Sequence, residues 1–177
     1  MGVLAILLFG CAPAWRPGVP GRLDLEPPPG WAVTRNYRAF GSDTLVLSHG
    51  GASINVTTRP DRGRAQRLPL DLVAGVRALS WGRRLGIESS VLAEHDILLD
   101  GRRACAVTGE RRWRNVSVGY TMVVTRTPGR IAELVLHAPR GALDAEVADW
   151  AVFLDHFHLA APVEPDGPLF EDDAWRR

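Results

Sequence analysis

The sequence predicts an α+β fold in which an antiparallel sheet of about six strands is covered by two main helices. The 177 residues are 46% hydrophobic and 23% charged, which suits one folded domain and excludes a disordered chain. The clearest strand lies at 116–125, where apolar and other residues alternate without interruption. The clearest helix lies at 142–159, where apolar residues recur at spacings of four and three.

The first half of the domain reads as a hairpin followed by a helix. Strands at 44–48 and 52–58 flank His49-Gly50-Gly51, a glycine-rich turn of the hairpin kind. Pro69 suits the first turn of a helix and Gly86 suits its C-terminal cap. The apolar residues of this helix recur at spacings of four and three, at Leu72, Val76 and Leu79.

Four further strands and a helix are predicted after it. Asp100-Gly101 is the strongest hairpin signal in the chain, and Thr127-Pro128-Gly129 suits a type II turn. We expect Trp150 and Phe157 of the last helix to be buried against the sheet. The strands are predicted at 91–99, 104–109, 116–125 and 131–138, with 111–115 as a loop between the second and third.

The chain divides into four segments. Residues 1–10 read as a lipoprotein signal peptide, and 11–30 as a proline-rich, extended tether that begins at a lipidated cysteine. Residues 31–159 form the folded domain, and 160–177 an acidic, proline-rich tail.

The N-terminus indicates a lipid anchor. The apolar run at 3–9 is too short to cross a bilayer, which needs about 20 residues in a helix. Leu8-Phe9-Gly10-Cys11 resembles the bacterial lipobox, which implies that Cys11 is acylated and becomes the mature N-terminus. Ala12 resembles the sorting signal for the outer membrane. The alternative is an ordinary signal peptide with a chance cysteine.

Three short segments carry a resemblance to a known family. They are Pro29-Gly30-Trp31, the run Leu98-Leu99-Asp100-Gly101-Arg102-Arg103-Ala104, and Phe153-Leu154-Asp155-His156-Phe157. With the order of elements, they make residues 31–159 similar to the PsbP-like α/β/α sandwich, which is found in PsbP and in bacterial lipoproteins of the DcrB type. The resemblance implies a binding or assembly factor and supplies no catalytic residues. The alternative fold is another single-sheet α+β sandwich with a different strand order.

The sequence predicts no catalytic site, no metal site and no cofactor. His156 and His158 lie about 200° apart on a helix, so they cannot bind one ion together. Glu133 and His137 are too far apart along one strand, and His95-Asp96 lacks a nucleophile motif. Cys105 lies in an apolar stretch, and we expect it to be buried and structural.

Charge is segregated along the chain. Residues 59–84 and 100–130 each hold seven Arg against two acids, whereas 133–177 hold ten acids against three Arg. We expect Arg111, Arg112, Trp113 and Arg114 to form an exposed hairpin surface for an anionic partner, such as phosphates, lipid headgroups or an acidic protein patch. The alternative is a solvated loop whose charge the acidic tail neutralises.

These observations predict a non-catalytic, lipid-anchored protein of the bacterial cell envelope that binds or helps to assemble a partner. Its lipid anchor would hold it at the outer membrane, facing the periplasm. A formal charge of +1 gives no indication of nucleic-acid binding. The alternatives are an envelope enzyme with an unrecognised site and a purely structural lipoprotein. The sequence leaves the identity of the partner and the oligomeric state open.

Overall fold

The structure, a computed structural model, describes residues 19–20, 25, 27–62, 66–127 and 129–158. Helix α1 spans Leu70–Ser80 and helix α2 spans Leu143–Asp155, and a 3₁₀ turn lies at Arg83–Leu85. The strands are β1 (Val19–Pro20), β2 (Ala32–Ala39), β3 (Ser42–His49), β4 (Ala52–Pro60), β5 (Glu88–Leu99), β6 (Arg102–Trp113), β7 (Val116–Thr127) and β8 (Arg130–Pro139). Among the described residues, no helix has the length and apolar character needed to span a bilayer.

The described strands form one antiparallel sheet in the order β1-β2-β3-β4-β8-β7-β6-β5. Two meanders, β1–β4 and β5–β8, meet where β4 pairs with β8. The α+β class and the two covering helices are confirmed. The sheet has more strands than the six predicted, because β1 and β2 were missed. Strand β2 is largely exposed and carries mostly polar side chains, so it has no apolar alternation to detect.

Helix α2 covers one face of the sheet. Trp150, Phe153 and Phe157 are buried there, and the rings of Trp150 and Phe153 stack at 5.7 Å between centroids. The predicted burial of Trp150 and Phe157 is confirmed. The rest of the predicted apolar face is shifted, because Val147 is 46% exposed while Phe153 faces the core. The helix ends at Asp155, before the predicted 159, so Phe157 reaches the core from the segment that follows it.

Helix α1 covers the other face, over β5, β6 and β7, and it does so with its small side chains. Val73, Ala74 and Ala78 are buried, whereas the periodic Leu72, Val76 and Leu79 are about half exposed. The helix ends at Ser80 rather than near Gly86, because Trp81 adopts an extended backbone with ψ 124°. Small residues let the helix axis approach the sheet closely, which leaves the larger side chains on the outer surface.

The turns divide between two ends of the sheet. We call one the Phe40 end; it holds the β2–β3, β5–β6 and β7–β8 turns and the start of α1. The opposite end, the Trp113 end, holds the β3–β4 and β6–β7 turns and the start of α2. The predicted hairpin turns at Gly50-Gly51 and Asp100-Gly101 are confirmed.

Candidate functional site

The β6–β7 hairpin is longer than the sequence predicts. The ladder continues through Arg111, paired with Val118, and closes at Trp113, paired with Val116. The turn therefore contains only Arg114 and Asn115, and the predicted loop over 111–115 is wrong. The missed signal is the alternation of Val116 and Val118 on the facing strand, which requires partners on β6.

Arg111 is buried, so its expected place in an exposed surface is wrong. Its side chain is 1% exposed and lies on the α1 face of the sheet. The guanidinium carbon is 4.2 Å from the ring centroid of Trp81 and 4.1 Å from that of Tyr120. Nη1 contacts Nε2 of His137. Aromatic faces on both sides partly replace the hydration that the cation has lost.

The charge of Arg111 is poorly compensated at this position. Its Nε and Nη2 have no hydrogen-bond partner among the described residues. Burial lowers the pKa of Arg111 to about 10. Burial, and then the nearby charge of Arg111, lowers the pKa of His137 to about 3. His137 is therefore neutral at physiological pH and cannot act as a proton-exchanging base there.

The tautomer of His137 follows from these contacts. Because Nε2 accepts from the guanidinium of Arg111, the proton of the neutral ring lies on Nδ1. Nδ1 faces the side-chain amide of Asn55 at 3.2 Å, so the amide oxygen must be the atom turned towards it. The Arg111–His137–Asn55 chain ties β6, β8 and β4 together across the join of the two meanders.

Three of the four predicted surface residues remain accessible at the Trp113 end, and we call them the tip surface: Arg112, Trp113 and Arg114. Arg112 and Arg114 are exposed, and Trp113 is half-buried. The guanidinium carbon of Arg114 lies 4.8 Å from the ring centroid of Trp113. Guanidinium groups donate in pairs to carboxylates and phosphates, and an indole adds an apolar face. This arrangement suits an anionic group attached to something flat or apolar.

A second cluster at the Trp113 end was not predicted. Ligand atoms of His49, Glu146 and Asp149 lie within 4.8 Å of one another. His49 Nδ1 is 3.5 Å from a Glu146 oxygen, and the indole of Trp31 donates to Asp149 at 3.0 Å. The spacing of Glu146 and Asp149 on one helix face is visible in the sequence, but their nearness to His49 depends on the fold. Each carboxylate already has a protein partner, which accounts for the arrangement.

Comparison with solved structures identifies the architecture. Cyanobacterial PsbP (CyanoP) from Synechocystis sp. PCC 6803 matches with a TM-score of 0.60 and 12% identity, over 86% of this chain and 99% of that one. The chain has a PsbP-like fold. A protein of unknown function and putative regulator, PA94 from Pseudomonas aeruginosa, matches with a TM-score of 0.52 and 12% identity, over 73% and 96%. LpqN, involved in cell envelope biogenesis of Mycobacterium tuberculosis, has a TM-score of 0.42 and 15% identity, over 80% and 84%. No protein-family model and no curated relative matches.

The remaining sequence candidates are dispersed in the PsbP-like domain. His156 contacts the carbonyl of Val152, and His158 contacts Asp100 at 3.1 Å. Glu133 pairs with Arg59 and Arg77 and not with His137. Asp96 is paired with exposed Arg103 rather than with its neighbour His95.

Cys105 is 1% exposed, which confirms that it is buried. Burial, together with the neighbouring carboxylate of Glu94, raises the pKa of its thiol to about 12. The thiol stays protonated and is a poor nucleophile, as expected of a structural cysteine. Cys11 and the other residues of 1–10, and the tail at 160–177, lie outside the described residues.

Proposed function

We propose that this protein is a lipid-anchored, non-catalytic component of the bacterial cell envelope, whose PsbP-like domain binds or helps to assemble an anionic partner. The lipobox-like Leu8-Phe9-Gly10-Cys11 supports the anchor, and Ala12 supports the outer membrane, facing the periplasm. The several acyl chains of a bacterial lipoprotein would give stable attachment, which a single chain does not.

The tip surface is the observation that carries the binding proposal. Arg112 and Arg114 place two exposed cations beside a half-buried indole at the end of a rigid two-stranded ladder. Tryptophan and arginine are enriched among the residues that dominate binding energy at interfaces. An anionic partner would gain screened attraction from the arginines and a salt-insensitive apolar contact from Trp113.

The anchor is tested by replacing Cys11. Mass spectrometry of the wild-type protein should find acyl chains on Cys11 as the first residue. Cys11→Ser should abolish processing or release the protein from membranes. A Cys11→Ser protein that is processed and fractionates as the wild type does would contradict the anchor.

The binding surface is tested by affinity capture from detergent-solubilised envelopes. Arg112→Ser/Arg114→Ser should reduce recovery of the partner, with a steeper loss as salt is raised, and Trp113→Ser should reduce recovery at all salt concentrations. Arg62→Ser/Arg67→Ser is the matched control, because it removes two exposed arginines of the same charge elsewhere. Arg111 is left in place because it is buried. Equal recovery with both double variants would leave the tip surface as a solvated turn.

A further inference from the structure

Phe40 is displayed at the tip of the β2–β3 hairpin in a conformation that phenylalanine disfavours. Its side chain is 99% exposed. The turn has two residues, Phe40 with φ 51° and Gly41 with φ 74°, between Ala39 and its partner Ser42. Positive φ at both positions defines a type I′ turn, whose first position favours Asn, Asp or Gly. Neither local backbone preference nor packing within the domain accounts for a phenylalanine here.

The N-terminal segment leaves the domain beside this tip. Val19 pairs with Arg38, and Pro20 pairs with Tyr37, in antiparallel orientation. Because β2 runs towards the Phe40 end, β1 runs away from it, and the chain before Val19 departs at the Phe40 end. Cys11 precedes Val19 by eight positions (19 − 11). Even fully extended, such a segment spans only about 28 Å.

Basic side chains surround the base of the hairpin. Arg38 and Arg130 both pair with Asp43, at 3.8 and 3.1 Å, so two cations share one carboxylate. Arg62 is exposed at the same end, just after β4. An exposed aromatic ring above a cationic base suits the surface of a bilayer that contains anionic lipids, where the ring enters the acyl boundary and arginines meet the headgroups.

We propose that Phe40 inserts into the phospholipid leaflet that carries the acyl chains of Cys11, as a second membrane contact of the anchored domain. This proposal rests on the lipid anchor proposed above. Two contacts fix the domain's orientation, whereas a tether alone leaves it free to turn. Strand β6 has 12 residues, so the tip surface at the opposite end would stand roughly 40 Å from the membrane.

The substitution Phe40→Asn separates this role from any contribution to folding. Asn is favoured in the first position of a type I′ turn, so we expect the melting temperature to be equal to or higher than that of the wild type. Affinity for vesicles of phosphatidylethanolamine and phosphatidylglycerol should fall roughly tenfold, because burial of the ring is lost. Phe40→Leu should retain most of the affinity.

The vesicle measurement uses the full chain with Cys11→Ser in every variant, so that no acyl chain contributes. The N-terminus is then identical throughout, and the affinity ratio reports position 40 alone. Leu92→Asn is the matched control, because Leu92 is 68% exposed and lies on β5, at the far edge of the sheet. It should leave affinity unchanged.

The outcomes for the insertion and for the anchor are separable. Equal vesicle affinity of Phe40→Asn and wild type, or an equal loss with Leu92→Asn, would overturn the insertion of Phe40 even if Cys11 is acylated. A specific loss with Phe40→Asn would support insertion even if fractionation of Cys11→Ser contradicted the anchor. Vesicles of phosphatidylcholine should preserve the ratio between the two variants, because the lost contact is apolar.

Discussion

The indole of Trp81 covers the guanidinium of Arg111, whose central carbon lies 4.2 Å from the ring centroid. Trp81 is the first residue after α1, and it also contacts the ring of His137 at 5.4 Å between centroids. The end of the helix thus closes over a buried cation that lies on β6. The position at which α1 ends and the burial of Arg111 are therefore parts of one arrangement.

A double-mutant cycle should detect this contact. We expect Trp81→Leu to reduce the free energy of unfolding more in the wild type than in Arg111→Met, with a coupling of about 1–2 kcal/mol. The physical reason is that leucine offers no π face to a desolvated cation. Urea unfolding of the four proteins measures the cycle. Additive losses, within about 0.5 kcal/mol, would contradict an energetic contact between the two side chains.

His137 should make the stability depend on pH. Its folded pKa of about 3 lies below the ordinary value of 6.5, so its contribution is complete above pH 6.5 and is lost as pH falls towards 3. Between pH 8 and pH 5 this amounts to about 2 kcal/mol, because only the unfolded chain binds the proton. His137→Gln keeps an acceptor for Arg111 but does not titrate. Urea unfolding at both pH values should show a smaller loss in this variant, and equal losses would contradict a neutral, buried imidazole.

Trp150 should be essential to the fold. Trp150→Ala removes a 5% exposed side chain that stacks on Phe153, and truncation of a buried large aromatic costs about 3–5 kcal/mol. Val147→Ala is the control on the same helix, because Val147 is 46% exposed and should change stability by less than about 0.5 kcal/mol. Thermal unfolding compares the two, and similar melting temperatures would mean that the helix faces are assigned wrongly.

Deletion of residues 160–177 tests whether the acidic tail competes for the tip surface. If the tail's carboxylates screen Arg112 and Arg114, the deletion should strengthen capture of the anionic partner at low salt, and the gain should vanish at high salt. Recovery from solubilised envelopes measures it. Unchanged recovery at all salt concentrations would exclude the tail as a competitor.

Helix α1 shows why periodicity predicted elements better than faces. The spacing of Leu72, Val76 and Leu79 correctly indicates a helix, but the sheet receives Ala74 and Ala78 instead. The size of the side chains on a helix does not reveal how closely it approaches its neighbour. That distance is set by the residues below, such as Cys105, Val107 and Met122, which belong to other strands.

Arg111 illustrates a second limit, which affects the candidate site. A run of arginines ordinarily predicts exposure, because burial of a charge without a paired acid is costly. Its stabilising contacts are Trp81, Tyr120 and His137, which come from three separate elements and lie together only after folding. The exposed Arg112 and Arg114, one residue to each side of Trp113, were predictable because they depend only on the hairpin itself.

The join between β4 and β8 has a consequence for the order of assembly. Pro60 pairs with Arg130, 70 positions later (130 − 60), whereas every other long strand pairs with a neighbour in sequence. As the chain folds from its N-terminus, β4 is an edge strand whose Ile54 and Val56 have no cover until β8 arrives. Unpaired edges with apolar side chains promote association between chains. The interval before β8 docks is therefore when the nascent protein is most exposed to aggregation, and a chaperone that binds β4 would protect it then.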